Sequence, residues 1–369
     1  MEIKIKRDHF LKALSQSGRA TTNNSVIPAM GMLLISVPDP EKEDKKIEVT
    51  GASEELFIRC FIDTDKAEII ESGSVAVDKR IISIVKNFNT EIVELKSDNN
   101  VLIVKSGRSK YKIPAISAMD YPRINFSYDN QFDLDASMLK EALETVVPFA
   151  SSQENRPALT GIHMTGSDNH IVMTGTDSYR LSRVRINAPD VHDFDVIVYA
   201  QSAKKILPYI TNGKVTFGFK GSSRVVLKME DMIIAMRLID ATYPDTDRLF
   251  NIPTNAKVSA KRNDIVDALS RIAVVTPDNP HSVTFDLDKM ILSSSTDVGS
   301  ADEEIDGTHE GETYEISFDY RYLQDALKVV PFTDDICLEF TGEVRPIKIF
   351  VNRDDNFETS QTILPIRTH

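Results

Sequence analysis

Thr174-Gly175-Thr176-Asp177-Ser178-Tyr179-Arg180-Leu181 lies near the middle of a chain of 369 residues. The apolar run Ile171-Val172-Met173 leads into it, and the alternating run Arg183-Val184-Arg185-Ile186 leads out. Asp177-Ser178 between two such runs predicts a tight turn joining two strands. Alone, this is one hairpin. Its weight comes from echoes. An apolar strand followed by a small polar turn recurs at Val49-Thr50-Gly51-Ala52-Ser53 and at Leu292-Ser293-Ser294-Ser295-Thr296-Asp297.

Two more markers share that spacing. A proline opens a strand at Pro28-Ala29-Met30, Pro157-Ala158-Leu159 and Pro280-His281-Ser282. An apolar residue precedes proline at Tyr121-Pro122, Tyr243-Pro244 and Leu364-Pro365. Members of each set are about 120 to 130 positions apart and keep their order, which is the signature of an internal repeat. The chain reads as three domains of one kind, residues 1–127, 128–255 and 256–369.

Each repeat holds a shorter period, a strand pattern feeding a helix pattern, twice over. Examples are Ile3-x-Ile5 before Phe10-Leu11-x-x-Leu14 and Val258-x-Ala260 before Ile265-Val266-x-x-Leu269. A period of 2 that switches to spacings of 3 and 4 marks that junction. Six helices are expected, in windows 6–19, 78–86, 135–144, 203–209, 261–271 and 319–328. The remaining segments are β-rich, with hairpin turns at Asp98-Asn99-Asn100 and Lys220-Gly221-Ser222-Ser223. The fold class is therefore α+β: three similar domains, each two strand–helix–strands units with outer sheets and two inner helices.

Hydrophobic content of 41% with 27% charged residues describes a soluble globular chain. No apolar run approaches the roughly 18 residues that span a bilayer. Met1-Glu2-Ile3-Lys4-Ile5-Lys6 alternates like a strand, unlike a signal peptide. Cys60 and Cys337 lie far apart in apolar surroundings and read as reduced core residues of a cytoplasmic protein.

The net charge of −13 argues against nucleic acid only if it is evenly spread. It is not. The six helical windows hold 15 basic and 9 acidic residues, so they carry +6 and the rest of the chain −19. Helices sharing one face would make that face basic, suited to holding a phosphate backbone without reading bases.

Signals of catalysis are sparse. The sequence has no Walker loop and no Gly-x-Gly-x-x-Gly. Its seven histidines lack ligand spacing, and no cysteine pair forms a metal knuckle. Nothing beside Ser178 would activate it as a nucleophile. Asp302-Glu303-Glu304 could hold a divalent ion, but reads as a solvated or salt-bridging loop. No cofactor is expected. The tail Thr362-Ile363-Leu364-Pro365-Ile366-Arg367-Thr368-His369 is apolar where chain ends are usually polar, so it is buried or forms a docking surface.

These residues resemble the bacterial DNA polymerase III β subunits, the β sliding clamps, over the whole chain. The resemblance is carried by Met1 to Leu14, Glu154-Asn155-Arg156-Pro157-Ala158-Leu159-Thr160-Gly161, Gly175 to Leu181, Tyr243-Pro244-Asp245 and Leu364-Pro365-Ile366-Arg367. It implies a head-to-tail homodimer closing a six-domain ring around double-stranded DNA, with helices lining the hole and no hydrolytic activity. It implies partners: the replicative DNA polymerase alpha subunit, a clamp loader, and other polymerases and repair proteins carrying Gln-Leu-x-Leu-Phe-like segments. Tethering raises their effective concentration at the template.

The resemblance also implies sites. The family's peptide pocket, between domains two and three, maps to Leu159, Thr176, Ser178, Tyr179, Arg180, Leu181, Pro244, Leu249, Val344, Pro346, Ile363, Leu364, Pro365, Ile366 and Arg367. Ser178-Tyr179 stands where some members have Gly-His, and Leu364-Pro365-Ile366 replaces Met-Pro-Met. The subunit interface maps to Tyr111 and Ile113 against Val274 and Val275, with Arg80 facing Glu303 and Glu304. DNA contact maps to Asn24 and Gln153, and charge alone adds Arg156, Lys204 and Lys205. Two other readings stay open: a repeat-built interaction protein whose basic helices are merely solvated, and a nucleotide-processing enzyme using Asp302–Glu304.

Overall fold

The computed structural model describes residues 1–22, 26–39, 41, 45–276, 281–330, 333–354 and 356–366. All six expected helices form: α1 (Arg7–Ser17), α2 (Ile81–Lys86), α3 (Ala136–Val146), α4 (Ala200–Ile206), α6 (Arg262–Ile272) and α7 (Tyr320–Lys328). A short helix that sequence periodicity did not announce, α5 (Asp247–Phe250), precedes α6. The fold is α+β with antiparallel pairing, as the strand–helix alternation implied. No helix among the described residues is long and apolar enough to cross a membrane.

The chain packs as two compact units. The first comprises Met1–Ala136 and Pro208–Leu238, the second Ser137–Leu207 and Ile239–His369. In the first, thirteen strands form one sheet. Helix α1 packs on its strands Ile47–Ala52 and Leu56–Ile62 and on α2. The buried face of α1 is Phe10, Ala13, Leu14 and Ser17, the 3–4 spacing that the sequence displayed. In the second unit, nine strands form one sheet and four another, and α6 packs on α7. Ile265, Ala268, Leu269, Leu323, Ala326 and Leu327 share one core there.

Sheets run through the borders of the sequence repeats. Strand Met232–Arg237 pairs with Leu56–Ile62, and Arg180–Asn187 pairs with Phe357–Ile363. The central repeat therefore contributes strands to both units, which is why two compact units contain three repeats.

Pro28 and Pro157, expected to open strands, instead open the 3-10 turns Pro28–Gly31 and Pro157–Thr160 just ahead of the strands Met32–Val37 and Gly161–Ser167, as suits a proline at the first position of a turn. The other two repeat markers have a physical cause. A Cβ on Gly51 would sit 2.0 Å from the Ser17 carbonyl oxygen, and one on Gly175 would sit 2.4 Å from that of Val146. Glycine is required where the last turn of the first helix in the first and second repeats presses its carbonyl onto the strand. The third repeat solves the same junction differently: Thr276 Oγ1 donates to the Ile272 carbonyl and lies 2.9 Å from Ser294 Oγ. The tyrosine before each proline reaches the residue ahead of that glycine. Tyr121 Oη donates to the Thr50 carbonyl (3.3 Å) and Tyr243 Oη to that of Thr174 (3.2 Å). Leu364, the third member, has no hydroxyl. Pro280 lies outside the described residues.

Two arginine devices also recur. Arg7 donates to the carbonyls of Val85 and Lys86 at the end of α2, and Arg262 to those of Leu327 and Thr333 around the end of α7. Both satisfy carbonyls that a helix terminus leaves open. Arg59 lies over the Phe126 ring and Arg183 over the Phe250 ring, each at 4.5 Å. Both cysteines are free. Burial pushes the Cys60 thiol up to about 12, and Cys337 is half-buried.

Candidate functional site

The turn at Asp177-Ser178 is built by side chains bonding their own backbone. Asp177 Oδ1 accepts from the amides of Tyr179 and Arg180, both at 3.0 Å. Thr176 Oγ1 donates to the Arg180 carbonyl at 2.6 Å and accepts from the Ser178 amide. Ser178 is forced to φ 81°, a left-handed conformation that favours glycine. Arg156 Nη1 donates to Ser178 Oγ at 2.9 Å.

This turn sends neighbouring side chains apart. Tyr179 is 59% exposed. Arg180 turns inward: Nε donates to Asp177 (3.0 Å), Nη1 to Asp325 on α7 (2.6 Å) and Nη2 to the Pro148 carbonyl (3.1 Å). Its guanidinium lies over the rings of Phe149 (5.0 Å) and Tyr322 (4.8 Å), and Tyr322 stacks on Tyr179. Buried charge is tolerable because the guanidinium is met by carboxylates, a carbonyl and π-faces.

Beside the hairpin lies a cleft of about 170 Å³. Its walls include Leu159, Thr176, Ser178, Tyr179, Arg180, Leu181, Pro244, Leu249 and Leu364, nine of the residues that the resemblance implied. Asp245, Thr246 and Thr362 also line it and were not foreseen. Ile363 does not line it. In strand Phe357–Ile363 side chains alternate, so Thr362 faces the cleft while Ile363 is buried in the core with Phe149 and Leu327. Pro346 is buried, its carbonyl accepting from Thr341 Oγ1, and Val344 is 69% exposed; neither is a wall. Pro365 and Ile366 are half-buried past the cleft, with the Ile366 amide donating to Ser317 O. Arg367 lies outside the described residues.

The cleft floor and rim are braced. The Leu364 amide donates to the Tyr179 carbonyl at 2.9 Å, fixing the tail to the hairpin. Arg183 Nη2 donates to Thr246 and Asp247, holding α5 in place. Lys348, 4% exposed, donates to the Ile252 carbonyl. Glu339 accepts from Thr254 Oγ1 (2.7 Å) and pairs with Lys257. Burial pulls the Glu339 carboxyl upward, but the Thr254 hydroxyl and the Lys257 and Lys348 ammoniums outweigh it and hold it below the usual glutamate range.

The other expected residues fall elsewhere. Gln153, Arg156, Lys204 and Lys205 are exposed, the lysines on α4. Arg156, which charge alone groups with the DNA contacts, donates to Ser178 Oγ beside the cleft. Asn24 lies outside the described residues. Tyr111 is 44% and Val274 75% exposed, Val275 is half-buried, and Ile113 is buried within its own unit. Arg80 is engaged by Asp78 at 2.8 Å, and Glu303 by Arg271 at 2.7 Å, so within the chain these charges are already paired. Glu304 is exposed. No group of three potential metal ligands occurs among the described residues.

Models of the DNA polymerase III beta subunit match in three parts: its N-terminal domain over residues 1–125, its central domain over 133–245 and its C-terminal domain over 248–367. A beta sliding clamp of Staphylococcus aureus is 28% identical over 384 aligned residues that cover both chains completely. The solved DNA polymerase III beta chain of Streptococcus pneumoniae is 26% identical with a TM-score of 0.91, covering both chains completely. The solved sliding clamp of Bacillus subtilis, at 24% identity, has the same fold with a TM-score of 0.93 over the full length of both.

Proposed function

Since the chain belongs to the DNA polymerase III beta subunit family, we propose that it is a DNA sliding clamp: a non-catalytic processivity factor that encircles duplex DNA and tethers the replicative polymerase. The observation that carries the tethering role is the cleft between the 174–181 hairpin and the chain's own tail. Leu159, Leu181, Leu249 and Leu364 offer apolar wall, and Thr176, Thr246 and Thr362 offer a few polar groups for orientation. Such a cleft suits a short partner segment with leucine and aromatic anchors of the Gln-Leu-x-Leu-Phe kind, presented by the polymerase alpha subunit, the clamp loader and repair proteins.

Ring closure is the second part of the proposal, with domains at 1–127, 128–255 and 256–369. Strand Ser109–Ser117 pairs on one side only over its first residues, and strand Gly299–Glu304 borders the four-stranded sheet. Two open strand edges, with Tyr111 near one and Val274 exposed beside the other, suit head-to-tail pairing of two copies. Arg80 and Glu304 would then meet across copies, Arg80 exchanging or sharing Asp78. DNA would be held by phosphate contacts from Arg156, Lys204, Lys205, Gln153 and Asn24, without sequence preference. Replication is a cytoplasmic task in bacteria, and that is where we place the protein.

The test is topological. Protein assembled on nicked circular DNA should stay bound and be released when the circle is cut. Equal release from circles and linear DNA would overturn encirclement. Loss of polymerase stimulation on Leu364→Ala would support the cleft as the tether.

A further inference from the structure

The inner face of the nine-stranded sheet carries polar groups that find no partner. Gln361 is fully buried, and neither its amide oxygen nor its amide nitrogen has a hydrogen-bond partner. Ser182 Oγ and Thr359 Oγ1, at 0% and 1% exposure, are in the same condition. Strand register places these three residues together. Across the sheet, one row runs Gly175, Ser182, Gln361, Ile349, and the next Met173, Val184, Thr359, Val351. This is the face opposite the cleft, since Thr362 and Leu181 point the other way.

An orphaned buried amide with two orphaned hydroxyls beside it would cost several times what one unmade hydrogen bond costs, because each group loses water and gains nothing. Native interiors rarely keep such a set unless ordered water completes it, and a buried water typically joins two to four polar groups. Gly175 stands opposite Ser182 in this row and is closely covered by the Val146 carbonyl at the end of α3, which places one more acceptor of the kind that helix ends leave open beside the three side chains.

We propose that this face holds an internal hydration site: one or two water molecules bound between the Gln361 amide, Ser182 Oγ and Thr359 Oγ1. The Gln361 nitrogen donates to water, water donates to the Gln361 oxygen, and the hydroxyls serve as donor or acceptor as needed. The ligand is water because the three side chains that would hold it are neutral and fully buried, and the nearest charge on this face, Arg180, is already paired with Asp177 and Asp325.

The test combines a crystal structure at high resolution with two variants of the full chain. Density within hydrogen-bond distance of the Gln361 amide is expected, and it should vanish in Gln361→Leu. Oxygen-17 relaxation should likewise lose a slowly exchanging water. If water satisfies the amide, Gln361→Leu and Ser182→Ala lower the Tm, by on the order of 2–4 °C each. If the groups are dry and unsatisfied, removing them raises the Tm. Absent density, or a raised Tm in either variant, overturns the proposal. Should Gln361→Leu fail to fold, Ser182→Ala with the wild-type density still decides.

Discussion

Arg180 Nη1 donates to Asp325 Oδ2 at 2.6 Å, joining the cleft hairpin to α7 across 145 positions of sequence. The Arg180 side chain is 12% exposed and that of Asp177 18%, whereas Asp325 is 39% exposed. The arginine is thus a brace with its charge largely spent inside the protein. Replacing it by methionine strands Asp177 and Asp325 and releases the Pro148 carbonyl. We expect Arg180→Met to cost about 3–5 kcal/mol, in the range for breaking a buried pair. Asp325→Asn, on the exposed side, should cost only about 0–1 kcal/mol. Urea unfolding of both variants measures this; equal costs would contradict a buried brace.

The tail should matter for binding more than for assembly. Leu364 is a wall of the cleft and is bonded to Tyr179, while the open strand edges at 109–114 and 299–304 lie elsewhere in the sequence. Deleting residues 364–369 is expected to weaken a Gln-Leu-x-Leu-Phe peptide at least about tenfold, the scale of losing one buried leucine contact. Mass in solution by light scattering should not change. A truncated protein with full peptide affinity would remove the tail from the site.

Gly51 and Gly175 should both resist substitution. A methyl group at either collides with backbone, the Ser17 or Val146 carbonyl, which cannot swing away as a side chain end could. Gly51→Ala and Gly175→Ala are expected to destabilise by about 1–3 kcal/mol or more, the cost of overpacking. Gly213, with nothing within 4 Å, tests strain alone because its φ is +107°. Thermal unfolding that ranks Gly213→Ala as the worst of the three would show that conformation, and not contact, decides.

How far the sequence led can be judged residue by residue. The six helices were legible because their apolar spacing is local, and Thr-Gly recurred because the same helix-end carbonyl needs the same space in two repeats. The cleft's walls came from resemblance, and nine of them stand together in the structure. What failed was orientation. The run Thr362-Ile363-Leu364-Pro365-Ile366 gives no polar alternation to say which side chain faces out; only pairing with Arg180–Leu181 and Ile347–Lys348 decides it. Tyr322 and Asp325 were invisible as cleft supports because on α7 they look like ordinary helix surface. The bond from Arg156 to Ser178 was not legible because charge says nothing about a neighbour 22 positions away. The two compact units were hidden because sheets cross repeat borders through long-range register.

Ser178 pays a conformational penalty that glycine would not. It has φ 81° and an exposed side chain whose Oγ accepts from Arg156. Ser178→Gly should raise stability by up to about 1 kcal/mol, since the left-handed region costs an L-residue roughly 1–2 kcal/mol and glycine gives back part of that through the unfolded chain. It should also free Arg156 at the rim. Differential scanning calorimetry reads the first effect, and a lowered Tm would mean the Arg156 bond outweighs the strain.

Acid should loosen the segment that carries the cleft's far wall. Glu339 is held ionised by the Thr254 hydroxyl at 2.7 Å, Lys257 at 3.0 Å and Lys348 at 3.4 Å, against the upward pull of burial. Its carboxyl titrates lower in the folded state than in the unfolded one. The stabilisation is therefore complete above the unfolded value, about 4.3, and is lost as pH falls through the lower folded value. Lys348 also bonds the Ile252 carbonyl, so protonating Glu339 leaves a nearly buried ammonium short of its counter-charge beside the stretch leading from α5 to α6. Wild-type protein should lose stability below about pH 4.3 more steeply than Glu339→Gln, which is less stable at neutral pH but flatter toward acid. Denaturant unfolding of both proteins across that range measures the difference. Parallel curves would mean that Glu339 is not linked to folding and that the segment is held by Lys348 and the backbone alone.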